Sequence, residues 1–139
     1  MTNILTWVKF STAAVCSAVS YAFGGFDTML RILLIMALID YITGVCAAVF
    51  TKTLSSKTGF NGILKKIVIL CVVSCAHLLG NALGVEQIRS AVIGFYIANE
   101  GISIVENAAL LGVPMPEKLL SILKQIKDKE EQNGIQIQN

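Results

Sequence analysis

Four long apolar segments separated by short polar stretches set the pattern of the chain, and they cover residues 4–23, 28–50, 67–84 and 90–112. A transmembrane helix needs about 20 predominantly apolar residues to cross a hydrocarbon core of roughly 30 Å. The last three segments therefore predict membrane-spanning helices. The first segment is only weakly hydrophobic, and it is either a fourth span or a helix that lies at the membrane interface.

The segment over residues 90–112 has the length of a span but contains two acidic residues, Glu100 and Glu106. Its nine strongly apolar side chains favour insertion by about 0.3–0.6 kcal/mol each, whereas an acid at mid-membrane costs about 2.5–3.5 kcal/mol. The two sums nearly cancel, so this helix requires partners. At about 100° per residue, the polar side chains share one arc of roughly 120°, and these are Tyr96, Asn99, Glu100, Ser103, Glu106 and Asn107.

Similar arcs of polar and small residues occur in the two preceding segments. Asp40 lies near the centre of residues 28–50, and small side chains on the same arc allow another helix to approach closely. Intramembrane acids usually face a bundle interior or a watery cavity, which makes them functional candidates. The candidates for an oligomer interface or a water-lined lumen are Asp40, Thr43, Gly44, His77, Asn81, Asn99, Glu100, Ser103, Glu106 and Asn107.

The composition agrees with an integral membrane protein. Of 139 residues, 55% are hydrophobic and only 14% are charged, against about 25% charged residues in ordinary soluble domains. The net charge of +2 is too small to indicate a nucleic-acid partner. All four cysteines lie inside apolar segments, where a thiol behaves as a small hydrophobe, so we expect no disulfide framework, metal site or cofactor.

Positive charge predicts the orientation in the membrane. Lys52, Lys57, Lys65 and Lys66 fall in residues 51–66, which we interpret as a loop, and lysines concentrate in cytoplasmic loops. The connection over residues 85–89 is then external. Two prolines at positions 114 and 116 end the last span, so a transmembrane domain over residues 1–116 is predicted.

The remaining residues, 117–139, are predicted to be cytoplasmic. Residues 117–129 have apolar side chains on one side, which is typical of an amphipathic helix, and the polar tail that follows has the composition of a disordered segment. The fold class is therefore an all-α integral membrane protein. It has about four transmembrane helices, or three plus an N-terminal interfacial helix, and a short cytoplasmic amphipathic helix.

No constellation typical of an enzyme is found in the sequence. A single histidine excludes the HExxH zinc motif and leaves little room for a catalytic triad. The segment from Asp40 to Gly44 reads Asp-Tyr-Ile-Thr-Gly, which is not the contiguous Asp-Thr-Gly of aspartic proteases. We therefore expect a non-enzymatic protein whose polar arcs serve self-association or line water.

Four short pieces carry a resemblance to a known family, and they lie at residues 40–44, 54–66, 95–107 and 112–116. In their order and spacing, the chain resembles the toxin secretion and phage lysis holin family over roughly residues 30–125. The resemblance implies a phage-encoded protein of the bacterial cytoplasmic membrane that forms homo-oligomers. Such a protein opens timed lesions through which an endolysin reaches the cell wall, and some relatives are associated with toxin release. His77 departs from the acid that is often found near this position.

Two other functions are compatible with the same residues. A small proton-coupled transporter or ion channel would use Asp40 and Glu100 as proton carriers. An antiholin-like accessory subunit would bind a membrane partner through the polar arcs without forming holes by itself. A transporter or channel would be selective for one ion, whereas an antiholin-like subunit would be inactive without its partner.

Overall fold

The computed structural model describes residues 2–119, 121, 122 and 125, and its long elements are four helices. These helices are α1 (Thr2–Phe23), α2 (Thr28–Phe50), α3 (Ser56–Leu83) and α4 (Gln87–Leu110). All four are long and apolar enough to cross a membrane, and the described residues contain no strand. The all-α membrane fold class is confirmed, and the first segment has the length and composition of a span.

The prediction of a loop over residues 51–66 is wrong for most of its length, because α3 already begins at Ser56. Ser55 has an extended backbone and caps the helix, with its Oγ accepting the Thr58 N–H at 3.1 Å. Two glycines in the first turns suggested a flexible connection. They instead bring α3 close to α2, since a Cβ on Gly62 would lie 3.3 Å from the Tyr41 ring.

The predicted external connection over residues 85–89 is also too long. Helix α4 begins at Gln87, so Arg89 lies in its first turn. Gly84 ends α3 in the left-handed conformation, with φ at 68°, and the Val85 N–H donates to the Gly80 carbonyl at 2.8 Å. This compact cap leaves only a short turn between the two helices.

A small apolar core holds three of the helices together. Helix α2 packs most extensively against α4, and α3 packs against the same helix. Leu30, Leu33, Ile69, Val73 and Ile93 form the buried cluster at this junction. Many other large apolar side chains point outwards, which is the surface that a lipid environment favours.

Helix α1 joins the others mainly through its C-terminal end. Ser74 Oγ of α3 donates to the Ala22 carbonyl at 2.8 Å, and Phe23 packs against the core cluster. Most other α1 side chains are exposed, including Trp7. Its contacts are therefore concentrated where it enters the connection to α2.

The predicted amphipathic helix over residues 117–129 falls only partly on described residues. Residues 117–119, 121, 122 and 125 are helical. The rest of that segment and the predicted disordered tail lie outside the described residues. The division into a domain over residues 1–116 and a tail stays a prediction.

Candidate functional site

Three helices meet at a cluster of charged side chains near the middle of α2 and α4. Lys66 of α3 donates from its Nζ to the carboxylates of Asp40 on α2 and Glu100 on α4. Glu100 has a side chain only 2% exposed, whereas Lys66 is 18% and Asp40 12% exposed. One lysine therefore joins three helices through a buried acid, Glu100, and a partly buried one, Asp40.

Neutral polar groups complete the arrangement around Asp40. Asn107 of α4 donates from its Nδ2 to Asp40 Oδ1 at 3.2 Å and to Thr43 Oγ1 at 3.1 Å. Thr43 in turn donates to the Asp40 carbonyl at 3.1 Å. Gly44 borders the same group, since a Cβ there would be in ordinary contact with Asn107 Nδ2 at 3.5 Å.

Helical periodicity explains why these side chains face one another. In α4 the buried residues are Arg89, Ile93 and Glu100, which follow one another at four and seven positions and so share a face. In α3, Lys66 lies three positions before the buried Ile69. The charged residues thus belong to the same stripes that build the apolar core.

The charge of the cluster is unbalanced, since two carboxyl groups meet one ammonium group. Charges interact strongly where the effective dielectric constant is low, and an uncompensated buried charge is costly. Breaking a buried pair by removing one partner typically costs about 3–5 kcal/mol. The cluster can therefore hold the helices together only while its charges remain compensated.

A pocket of about 210 Å³ opens beside the cluster. Its lining includes Asp40, Lys66, Ser103 and Asn107, together with Leu54 from the connection between α2 and α3. Lys65 contributes a second ammonium group to its wall and is itself exposed. Water or a small polar group can therefore reach Asp40 and Lys66 from this side.

A second ionic cluster lies at one end of the helices, where α2 and α4 begin. Arg89 Nη1 donates to Asp27 Oδ2 at 2.6 Å, and its Nε donates to the Phe23 carbonyl at 2.6 Å. Its Nη2 reaches the Gly25 carbonyl at 3.2 Å. This one guanidinium group fastens the connection between α1 and α2 to the start of α4.

Asp27 has two structural roles in this second cluster. Its Oδ1 accepts the Leu30 N–H at 2.9 Å and so caps α2. The hydrogen bond from Arg89, followed by that from Leu30, holds the pKa of the Asp27 carboxyl below its ordinary value. The ionised form is therefore the one that the folded protein stabilises.

The residues predicted as one set of candidates fall into three places. Asp40, Thr43, Glu100, Ser103 and Asn107 come together at the charged cluster, and Gly44 borders it. His77 and Asn81 lie near Arg89, where Asn81 Nδ2 is 3.1 Å from His77 Nε2. Asn99 and Glu106 are exposed on α4.

Sequence reasoning missed Lys66 and Arg89 as members of these clusters. Both were assigned to connections outside the spans, because charged residues at the ends of apolar segments usually reach towards water. The available signal was their helical phase, which places each of them on the same helix face as the buried core residues. Extending the buried stripe of α3 backwards from Ile69 reaches Lys66, and extending that of α4 from Ile93 reaches Arg89.

Comparison with known proteins gives one family and several close relatives. Residues 17–128 match the model of a family described as the bacteriophage holin family. An uncharacterized 14.9 kDa protein in the nagH 3' region of Clostridium perfringens is 42% identical, covering 94% of this chain and all of the relative.

Two further relatives come from other organisms. The uncharacterized protein BH0965 of Halalkalibacterium halodurans is 41% identical over 84% of this chain and 93% of its own length. The uncharacterized protein YtkC of Bacillus subtilis is 36% identical over 86% and 91%, respectively. No solved structure matches the chain significantly.

Proposed function

Because the chain belongs to the bacteriophage holin family, we propose that this multi-pass membrane protein assembles into homo-oligomers that open lesions in the bacterial cytoplasmic membrane. The lesions would release an endolysin, or a toxin in bacteria that use such a protein for secretion. The chain itself performs no catalysis in this proposal. Its partners are further copies of itself, the lipid bilayer and the enzyme or toxin that passes.

The cluster of Asp40, Lys66 and Glu100 is the observation that supports this function best. Charged groups at mid-membrane are costly against lipid but favourable against water. In the single chain the three groups satisfy one another between α2, α3 and α4. The same three groups can line water when the helices move apart within an assembly.

The cluster therefore provides two states with different surfaces. In the packed state, the outward surface is largely apolar and suits lipid. In a rearranged assembly, the faces that carry Asp40, Glu100 and Asn107 would turn towards a water-filled opening. Asn99 and Glu106, exposed on α4, are candidates for contacts between copies, since interhelical hydrogen bonds contribute about 0.6–2 kcal/mol each in membranes.

The proposed orientation places the connection between α2 and α3 and the C-terminus in the cytoplasm. Although Lys66 is engaged in the cluster, Lys52, Lys57 and Lys65 remain exposed near this connection. Exposed lysines close to the ends of spans favour the cytoplasmic side. Cysteines introduced at Asn3, Thr58 and Gln87, probed with membrane-impermeant reagents in intact and opened cells, test the orientation of all four helices.

The function is tested by inducible expression in bacteria together with a muralytic enzyme that lacks its own export signal. We expect abrupt lysis and release of a cytoplasmic reporter only when both proteins are present. Expression without the enzyme should depolarise the cells and stop growth without rapid lysis. Retention of the reporter despite membrane insertion of the protein would contradict the proposal.

A second candidate function is proton-coupled transport, which the pocket beside Asp40 and Lys66 favours. The two functions differ in what they let pass. Proteoliposomes of a transporter would conduct protons or one ion while retaining an entrapped protein, whereas those of a holin would release the protein. An antiholin-like subunit would do neither until its partner is added.

A further inference from the structure

The charged cluster contains one more acid than base. Asp40 and Glu100 share the ammonium group of Lys66, so full ionisation of all three groups leaves one net negative charge. The Glu100 side chain is 2% exposed, and water cannot screen that excess charge as it would at a surface. The packed helices therefore need one further positive charge at this place.

Lys66 also keeps the two carboxyl groups close together. Asp40 and Glu100 both accept from the same Lys66 Nζ, so each contacts one shared ammonium group. Two ionised carboxylates held this close repel each other, whereas a pair that holds one proton does not. The geometry thus fits a pair of acids that shares a proton.

We propose that the cluster of Asp40, Lys66 and Glu100 binds one proton while the helices are packed, and that loss of this proton loosens α2, α3 and α4. Proton binding concerns the cluster alone, whereas its effect on opening rests on the proposed function. With the proton bound, the cluster is neutral and its hydrogen bonds are complete. Without it, a net negative charge remains between three helices and favours their separation or the entry of water.

The surrounding groups do not supply the missing charge. Tyr41 on α2 lines the pocket, and a phenol group carries no positive charge. Lys65 on α3 also lines the pocket but is exposed, so water screens its charge. On α4, Ser103 and Asn107 contribute only neutral hydrogen-bonding groups.

A proton fits this site better than a metal cation. The Lys66 ammonium group already lies between the two carboxylates and contacts both. Calcium and magnesium ions require about six or more oxygen ligands. No group of three or more acidic, histidine or cysteine side chains suited to a metal occurs within the part of the chain that the structure describes.

Infrared spectroscopy of the purified protein in vesicles of phosphatidylglycerol and phosphatidylethanolamine tests the bound proton. At neutral pH we expect the C=O stretch of a protonated carboxyl group. Glu100→Gln and Asp40→Asn should each remove it, because the remaining acid then pairs with Lys66 as an ion. The matched control Glu86→Gln, at an exposed position at the start of the same helix, should keep the band.

Release of an entrapped, pH-insensitive dye from the same vesicles tests the effect on opening. Raising the pH empties the proton site, so release by the wild-type protein should increase, by up to about tenfold per pH unit for a single proton. Glu100→Gln and Asp40→Asn have neutral clusters, and both should release the dye slowly and with a flat pH profile. Glu86→Gln should keep the wild-type pH dependence.

Infrared spectroscopy tests whether the proton is bound, and dye release tests whether it controls opening. Absence of the carboxyl band in the wild type, or its persistence in both cluster variants, would overturn the proton site. A wild-type profile unchanged in both cluster variants would overturn its control of opening. Vesicles that keep the dye at every pH would contradict the pore function, while the infrared band would still decide whether the proton is bound.

Discussion

The two ionic clusters of this protein differ in balance and in exposure. Arg89 and Asp27 form a neutral pair, and Asp27 has a side chain 48% exposed at the end of the helices. Lys66 instead meets two acids, and the deeper acid, Glu100, has a side chain 2% exposed. The first cluster has one charge of each sign and an acid open to water, whereas the second has an excess charge and an acid that is closed to water.

The Arg89 cluster therefore suits a constant structural contact, whereas the Lys66 cluster suits a pH-dependent one. Arg89 also donates to two backbone carbonyls, which remain acceptors at any pH, so these contacts do not depend on protonation. All three members of the Lys66 cluster are titratable side chains on different helices. Gain or loss of one proton therefore changes the net charge where α2, α3 and α4 meet. The Arg89 cluster still joins the connection between α1 and α2 to the start of α4.

Removal of the lysine from the unbalanced cluster should have the largest effect. Lys66→Met leaves two acids facing each other without a cation, which should lower the free energy of unfolding by about 3–5 kcal/mol. Unfolding in mixed detergent micelles measures the change. Lys65→Met, at the exposed neighbouring position, should change it by less than about 0.5 kcal/mol. Equal stability of the two variants would contradict the role of Lys66.

Replacement of Arg89 should have a smaller effect. Arg89→Gln loses the ion pair with Asp27 and the bond to the Phe23 carbonyl, but Asp27 remains partly hydrated. We expect a loss of about 1.5–3 kcal/mol in the same assay. Arg31→Gln is the control, since Arg31 is exposed and bonds only locally to the Phe26 carbonyl. An equal loss of stability in both variants would contradict a specific structural role for Arg89.

The backbone beside Arg89 should be sensitive to a single methyl group. Gly24 has φ at 72°, and a Cβ there would lie 2.5 Å from His77 Nδ1 and 3.1 Å from Arg89 Nε. Gly24→Ala should therefore destabilise the protein by about 1–2 kcal/mol. Gly94→Ala, in α4 with open space around it, should be neutral or slightly stabilising. Thermal unfolding of the two variants in detergent provides the comparison.

Acid should weaken the exposed cluster by the smallest amount. The pKa of Asp27 is lowered in the folded protein, so its stabilisation is present above the ordinary pKa of an aspartate and is lost as the pH falls through the lower folded value. Asp27→Asn should remove this part of the acid-induced loss of stability. A profile identical to that of the wild type below about pH 4 would contradict the assignment.

The sequence was sufficient for the fold class because apolar length and polar arcs are local properties. The apolar segments predicted the helices, and the arcs identified Asp40, Glu100, Ser103 and Asn107, which the structure brings together. Helical phase alone did not show which side of the polar arc on α4 is buried. Asn99 and Glu106 lie on one side of it and are exposed, because α2 and α3 cover the other side.

The basic partner of Asp40 and Glu100 could not be predicted from local sequence patterns. Lys66 is 26 positions from Asp40 and 34 positions from Glu100, and such pairs depend on how the helices pack. The Ser55 cap is a local signal for the start of α3, but the polar composition of residues 51–66 led to the prediction of a loop. Gly59 and Gly62 are part of that composition. Their actual role is the close approach to Tyr41, which only the partner helix reveals.

The length of α3 has a consequence for the depth of the protein in the bilayer. Its 28 residues extend for about 42 Å at 1.5 Å per residue, which exceeds a hydrocarbon thickness of roughly 30 Å. Because Lys66 joins α3 to α2 and α4, the helix cannot slide along its own axis to relieve this mismatch without breaking the cluster. Bilayer thickness and tilt are thereby coupled mechanically to the same three side chains, so we expect a thinner membrane to strain the packed state.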